Sequence, residues 1–398
     1  MMDVASPGPT TMPLIYRRTR SQDRSWLRRA ADRGVSSAVN GMVYLLEGSA
    51  RPSMGNVARD RVFAEGKLAL YRVRPIGDES YELGHDVYRA PLVDRLSTPV
   101  LVIPPLMVRP YVYDLRPEHS MLRTLRNAGF DVFFVDFGVP DEADEQIRLD
   151  DYVLDFVPRC VQAALDAAGA ERLSMVGYCM GGIFSLLHVA THHDRRIANV
   201  VTIGAPVDFA RMGVISAAAR LGVVTIDVLM DRIGNVPGAL STLGFKVMSG
   251  GRLVTKWVDL FVNLSDEGYV RGFDAINTWV NDLIPYPRDA FKQMVKEVVG
   301  GNKLIAGDLR FGDKPCDLDA VRCPLLAFAG EGDNIATPAA TRRVVDVVGA
   351  EDKTFVPVPG GHVGVVAGTH APERVWQPMC DWLAERNEPA RTDRSADR

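Results

Sequence analysis

The chain is poor in cysteine: five residues, Cys160, Cys179, Cys316, Cys323 and Cys380, are scattered over 398 positions. Their odd number and the absence of any C-x-x-C spacing exclude a disulfide-stapled module and fit a reducing compartment, so the expected location is cytoplasmic. No uninterrupted apolar run approaches the roughly 18 residues of a membrane span, and no apolar signal core follows the N-terminal charges. Neither a transmembrane segment nor a secretory leader is therefore expected. There is no glycine-rich phosphate loop, and no His, Cys or carboxylate grouping has metal-ligand spacing, so neither a metal nor a bound cofactor is expected. A net charge of −4 gives no global attraction to nucleic acid. The basic cluster Arg17, Arg18, Arg20, Arg24, Arg28, Arg29 and Arg33 reads as a solvated arm or helix face.

What is present suffices for a large core, because 47% of the residues are hydrophobic and only 24% charged. The length fits one large α/β domain with an insertion, or two average domains. Residues 1–60 read as a tail followed by a helical extension, with apolar and basic residues at helical spacing over 26–46. Residues 69–73 and 88–93 look like an early antiparallel strand pair. From Pro99 onward, buried strand patterns at 100–103, 131–136, 172–176 and 197–203 alternate with helices, including an amphipathic one over 150–168 that Pro158 could kink. The alternation stops over 210–313, a stretch of helical patches, glycine stops and bulky residues including Trp257, Phe261, Tyr269, Phe273 and Trp279. It resumes over 314–386 with strands near 324–330 and 354–358 and a closing helix at 371–385, and 387–398 reads as a disordered tail. Such alternation implies a mainly parallel, twisted sheet covered by helices on both faces, in two parts (61–209 and 314–386) with a cap inserted at 210–313.

Within that frame, Gly177-Tyr178-Cys179-Met180-Gly181-Gly182 lies between a strand and a buried helix. This is the pattern of a nucleophile elbow of the α/β-hydrolase fold, with cysteine where most such folds carry serine. A cysteine nucleophile needs a base to form thiolate and an acid to orient that base, in the chain order nucleophile, acid, histidine. Asp333, in Gly330-Glu331-Gly332-Asp333-Asn334, follows a buried strand, and His362, in Pro359-Gly360-Gly361-His362, follows the next. Both would project from the carboxyl ends of the sheet, where site residues collect. Asp208 also follows a strand and is an alternative acid. His370 reads as a surface residue, and His192-His193 as cations suited to a helix C-terminus. The N–H groups of Met180, after the nucleophile, and of Val108, after the 100–103 strand, are the candidate oxyanion donors.

Taken together, these segments resemble the polyhydroxyalkanoate synthases, most closely the two-subunit class III type. The resemblance spans about 99–382. It rests on the cysteine box, on 109–115, 132–144 and 149–152, and on Pro206-Val207-Asp208-Phe209, Gly234-Asn235-Val236-Pro237-Gly238 and Gly360-Gly361-His362-Val363-Gly364. The chain departs from the family pattern at Asn334, where histidine is usual, and at Val108, where asparagine is usual. The resemblance implies that Cys179 accepts an (R)-3-hydroxyacyl group from coenzyme A as a thioester, and that repeated transfer forms a polyester. His362 would then activate the thiol, and Asp333 would assist it or the attacking hydroxyl. It further implies a homodimer, a second synthase subunit, and work at the surface of polyester granules. An acyl-enzyme discharged to water, as in a thioesterase or esterase, is the alternative chemistry, and a noncatalytic granule scaffold is the alternative class.

Overall fold

In a computed structural model, the described residues are 55–75, 80–83, 86–89, 95–248, 262–263 and 265–387. The basic N-terminal cluster, the helical extension over 26–46, and Trp257 and Phe261 lie outside them. Eight strands form the central sheet: β1 (Arg59–Glu65), β2 (Leu68–Val73), β3 (Val100–Ile103), β4 (Val132–Asp136), β5 (Leu173–Tyr178), β6 (Ile197–Ile203), β7 (Leu325–Gly330) and β8 (Lys353–Val358). Their order is β1-β2-β4-β3-β5-β6-β7-β8. β2 runs antiparallel to β1 and β4, and the other neighbours are parallel. Every residue of β3, β5, β6 and β7 is buried, which is why these strands read as continuous apolar runs. The edge strand β1 is instead charged and almost wholly exposed, a composition that discourages pairing with another chain.

The early strand pair differs from expectation. β2 pairs with Arg59–Glu65, and Asp86–Arg89 pairs with Ser80–Leu83. Only Gly66 and Lys67 separate β1 from β2, and Gly66 sits at φ +56°, so a tight turn joins neighbours in sequence. Both faces of β1 are largely exposed, and it therefore lacks the apolar alternation that reveals a strand.

Pro158 acts by widening its helix. Tyr152–Phe156 is a π-helical turn, closed by the Val157 N–H on the Tyr152 carbonyl, and the α-helix Val157–Ala168 follows. Pro378 is preceded by a similar turn at Pro372–Trp376, where the Gln377 N–H bonds the Pro372 carbonyl. A proline offers no N–H and crowds the carbonyl four residues back, and a wider turn relieves both problems.

Between β6 and β7 the described chain is mostly helical, including Val214–Gly222, Ile226–Ile233, Gly238–Met248, Glu267–Asn281 and Arg288–Gln293, and it also holds a short antiparallel pair, Arg310–Phe311 with Lys314–Pro315. No helix among the described residues is long and apolar enough to cross a membrane.

Asn387, placed at the start of the expected tail, is fixed. Its amide oxygen accepts from the Thr98 N–H (3.0 Å) and its amide nitrogen donates to the Thr98 carbonyl (3.1 Å), just ahead of β3. Replacing it with alanine removes both bonds in a part-buried setting. Asn387→Ala should lower stability by about 1–2 kcal/mol, read as a lower urea midpoint at unchanged slope.

Candidate active site

Cys179 joins β5 to the helix Met180–His192 in a conformation that side chains rarely adopt, φ +52° and ψ −121°. Its N–H donates to the Ile203 carbonyl (2.8 Å), and its carbonyl accepts from Gly182 and Ile183 (3.0 and 3.2 Å). The flanking glycines are steric necessities. A Cβ on Gly177 would lie 2.3 Å from the Gly181 backbone, and one on Gly181 would lie 1.9 Å from the Ile103 carbonyl oxygen. The elbow helix therefore rests directly on the end of β3.

Asp333 and His362 meet as their chain order anticipates. The loop after β7 carries Asp333, whose Oδ1 accepts from the Ile335 and Ala336 N–H groups, both at 2.8 Å. Its Oδ2 is 2.7 Å from His362 Nδ1. Gly360, at φ +127°, turns the chain after β8 so that His362 begins the short helix His362–Ala367. With Nδ1 held by the Asp333 carboxylate, Nε2 is the ring nitrogen available to Cys179. Burial disfavours the imidazolium, but the charges of Cys179 and Asp333 and the hydrogen bond to Asp333 outweigh it, so the His362 pKa is raised to about 10. The sign follows: this proton stabilises the fold fully below the ordinary value of 6.5, and that stability is lost as pH rises through about 10.

The remaining candidates separate from this group. Asp208 binds Arg211 (2.8 Å) and Asn302 (3.0 Å) and is occupied in fixing the start of the helical insertion. His370 is exposed beside Glu373, and His192 bonds the Val153 carbonyl. Burial pushes the thiols of Cys160 and Cys316 up to about 12 and about 11. Among the described residues no group of three or more His, Cys, Asp or Glu could hold a metal. Met180 opens the elbow helix, where backbone N–H groups lack intrahelical partners, and Val108 is buried in the turn beyond β3.

Several supporting residues escaped the sequence reading. Tyr178 donates its hydroxyl to the His362 carbonyl (3.1 Å), with the two rings 5.0 Å apart. Tyr113 donates to the Ile103 carbonyl (2.8 Å) and accepts from the Tyr178 N–H (3.2 Å). Two buried tyrosines thus tie the base, the elbow strand and β3 together. Tyr178 adjoins Cys179 in sequence, the one signal that could have marked it. Phe245 from the insertion faces the His362 ring at 6.3 Å. A cavity of about 990 Å³ reaches His362, with Phe245, Tyr269, Phe273 and Asn334 in its wall.

Residues 112–368 match the model of the alpha/beta hydrolase fold family. A poly(3-hydroxyalkanoate) polymerase subunit PhaC from Allochromatium vinosum is 32% identical over 348 residues, covering 87% of this chain and 93% of that protein. The chain belongs to the PhaC family. The subunit PhaC of Thiocystis violacea is 31% identical over 355 residues, covering 89% of this chain and 95% of its own. Among solved structures, a soluble variant of monoglyceride lipase from Saccharomyces cerevisiae shares the fold, with a TM-score of 0.51 at 14% identity, covering 84% of this chain and 97% of that one.

Segments that carry the PhaC resemblance meet in space. Asn235 donates to the Asp141 carbonyl and accepts from the Arg288 N–H (3.0 Å), while Arg288 pairs with Glu145 at 2.7 Å. They clasp the helical insertion to the loop beyond β4.

Two outcomes test the site's construction. Gly181→Ala should fail to give soluble folded protein, whereas Cys179→Ala should fold, as judged by circular dichroism. In protein labelled with 15N at histidine, His362 should titrate near pH 10 in the wild type. In Cys179→Ala its pKa should fall, because the largest upward influence is gone and burial remains.

Proposed function

We propose that this PhaC-family protein polymerises (R)-3-hydroxyacyl groups from coenzyme A thioesters into polyhydroxyalkanoate, with Cys179 as nucleophile. The observation that carries this reading is the hydrogen-bonded pair His362 and Asp333 beside the Cys179 elbow of a PhaC-type chain, where Tyr178 bonds the His362 carbonyl. In the proposed cycle His362 takes the Cys179 proton, and the sulfur attacks the thioester carbonyl. The bond to coenzyme A breaks, and His362 returns the proton to the departing thiol. A 3-hydroxyl then attacks the acyl-Cys179 carbonyl, losing its proton to His362, so that an ester forms and the Cys179 sulfur leaves. Asp333 holds the imidazole tautomer and stabilises its cation. Backbone N–H groups of Met180 and Val108 receive the oxyanion. Coenzyme A enters as part of the substrate, and no cofactor is required.

In this reading residues 210–313 form a cap inserted between core parts 61–209 and 314–386, and its aromatic residues shield the acyl-enzyme from water. Phe245 over His362 supports that role. The proposed assembly is a homodimer that takes a second synthase subunit and works in the cytoplasm at the polyester granule surface. Exposed Val214, Leu221, Val224, Leu243 and Val247 on the insertion support an apolar partner there, and the PhaC relatives are named as subunits.

The test is incubation with (R)-3-hydroxybutyryl-coenzyme A, quantifying free coenzyme A, free hydroxy acid and extractable polyester together. Coenzyme A release should be matched by polyester, vanish in Cys179→Ala, and fall by about 10²–10⁴ in Asp333→Asn. Release matched by free acid would move the assignment to a thioesterase.

A further inference from the structure

Tyr286 is a buried tyrosine whose hydroxyl has no hydrogen-bond partner among the described residues, although only 3% of the residue is exposed. Leaving a buried donor unsatisfied is costly, and such a group in a native fold calls for an explanation. Its position is tightly determined. Pro285 and Pro287 flank it, restricting the backbone on both sides. Its N–H and carbonyl pair reciprocally with those of Val236 at 3.0 and 2.9 Å. Phe291 packs edge-on against its ring at 5.5 Å. A hydroxyl held this firmly and left unpaired is preorganised for something absent from the free protein.

Its neighbours indicate what that is. Two residues earlier, the Ile284 N–H donates to the Met107 carbonyl (3.1 Å), in the turn that also carries Val108. The segment holding Tyr286 therefore lies beside the candidate oxyanion loop. The phenol is also within electrostatic reach of Cys179: burial first, then Tyr152 and Cys179, keeps it protonated far above its ordinary range. It can therefore act as a donor at any physiological pH.

We propose that the Tyr286 hydroxyl is a specificity-determining donor to the 3-oxygen of the acyl group at Cys179, an inference that rests on the polymerase reading. A straight acyl chain lacking that oxygen would leave the phenol unpaired and bind more weakly. One neutral hydrogen bond to a buried group corresponds to about tenfold in affinity.

The test uses Cys179→Ala protein, so that no turnover intervenes, and compares the affinities of (R)-3-hydroxybutyryl-coenzyme A and butyryl-coenzyme A by calorimetry. The hydroxyacyl thioester should bind about tenfold more tightly, and adding Tyr286→Phe should bring the two affinities together while leaving that of butyryl-coenzyme A unchanged. Thermal unfolding of ligand-free Tyr286→Phe should be unchanged or shifted upward, because no internal bond is lost. Retained discrimination, an equal loss for both thioesters, or a midpoint lowered by several degrees would overturn the assignment. If Cys179→Ala binds neither thioester while the wild type releases no coenzyme A, the polymerase reading itself fails, and this inference with it.

Discussion

The contact between Gly181 and the Ile103 carbonyl is the constraint on which the site depends. A methyl group there would sit 1.9 Å from that oxygen, so the elbow helix can approach β3 only with glycine at this position. That closeness forces the chain at Cys179 into a left-handed conformation, φ +52°, and projects its side chain above the carboxyl ends of the strands. The strain is sustained because the elbow is over-determined. Its N–H is bound to β6, its carbonyl to the helix behind it, and the β3 carbonyl next to it to Tyr113.

Around the elbow the energetic problem is a buried charge. His362 lies in a setting that by burial alone would hold it neutral, yet the groups facing it favour the cation. The Asp333 carboxylate has both oxygens committed, one to two backbone N–H groups and one to the imidazole, so it cannot turn away. The imidazolium is therefore stabilised by fixed dipoles and charges, without solvent reorganisation. A base next to a thiol needs such an environment if proton transfer is to be easy in both directions.

Much of this was legible in the sequence because it depends on local rules. Continuous apolar strands, the Gly-x-Cys-x-Gly turn, and an aspartate and a histidine after successive strands each leave a pattern over a few residues. The structure joins Asp333 to His362 and leaves Asp208 with Arg211 and Asn302. The charged edge strand β1 was missed because neither of its faces is consistently buried, and periodicity reports burial. Tyr113, Phe245 and Tyr286 were missed because their roles arise from contacts between segments far apart in the chain. Asn387 looked like tail by composition, and only its bonds to Thr98 show that it is fixed.

If Cys179 carries an acyl group, keeping that group from water requires a structure that covers the nucleophile. The helical segment between β6 and β7 meets the core through Asn235, Arg288 and the Met107 turn. The central claim is that Cys179 carries that acyl group covalently, and the most direct measurement is mass spectrometry of the Cys179 peptide after a brief reaction with isotopically labelled (R)-3-hydroxybutyryl-coenzyme A. A labelled hydroxyacyl adduct on that cysteine, absent from the peptide of Cys179→Ala, is the expected result. Release of coenzyme A with the label on another residue, or with Cys179 unmodified throughout turnover, would contradict it.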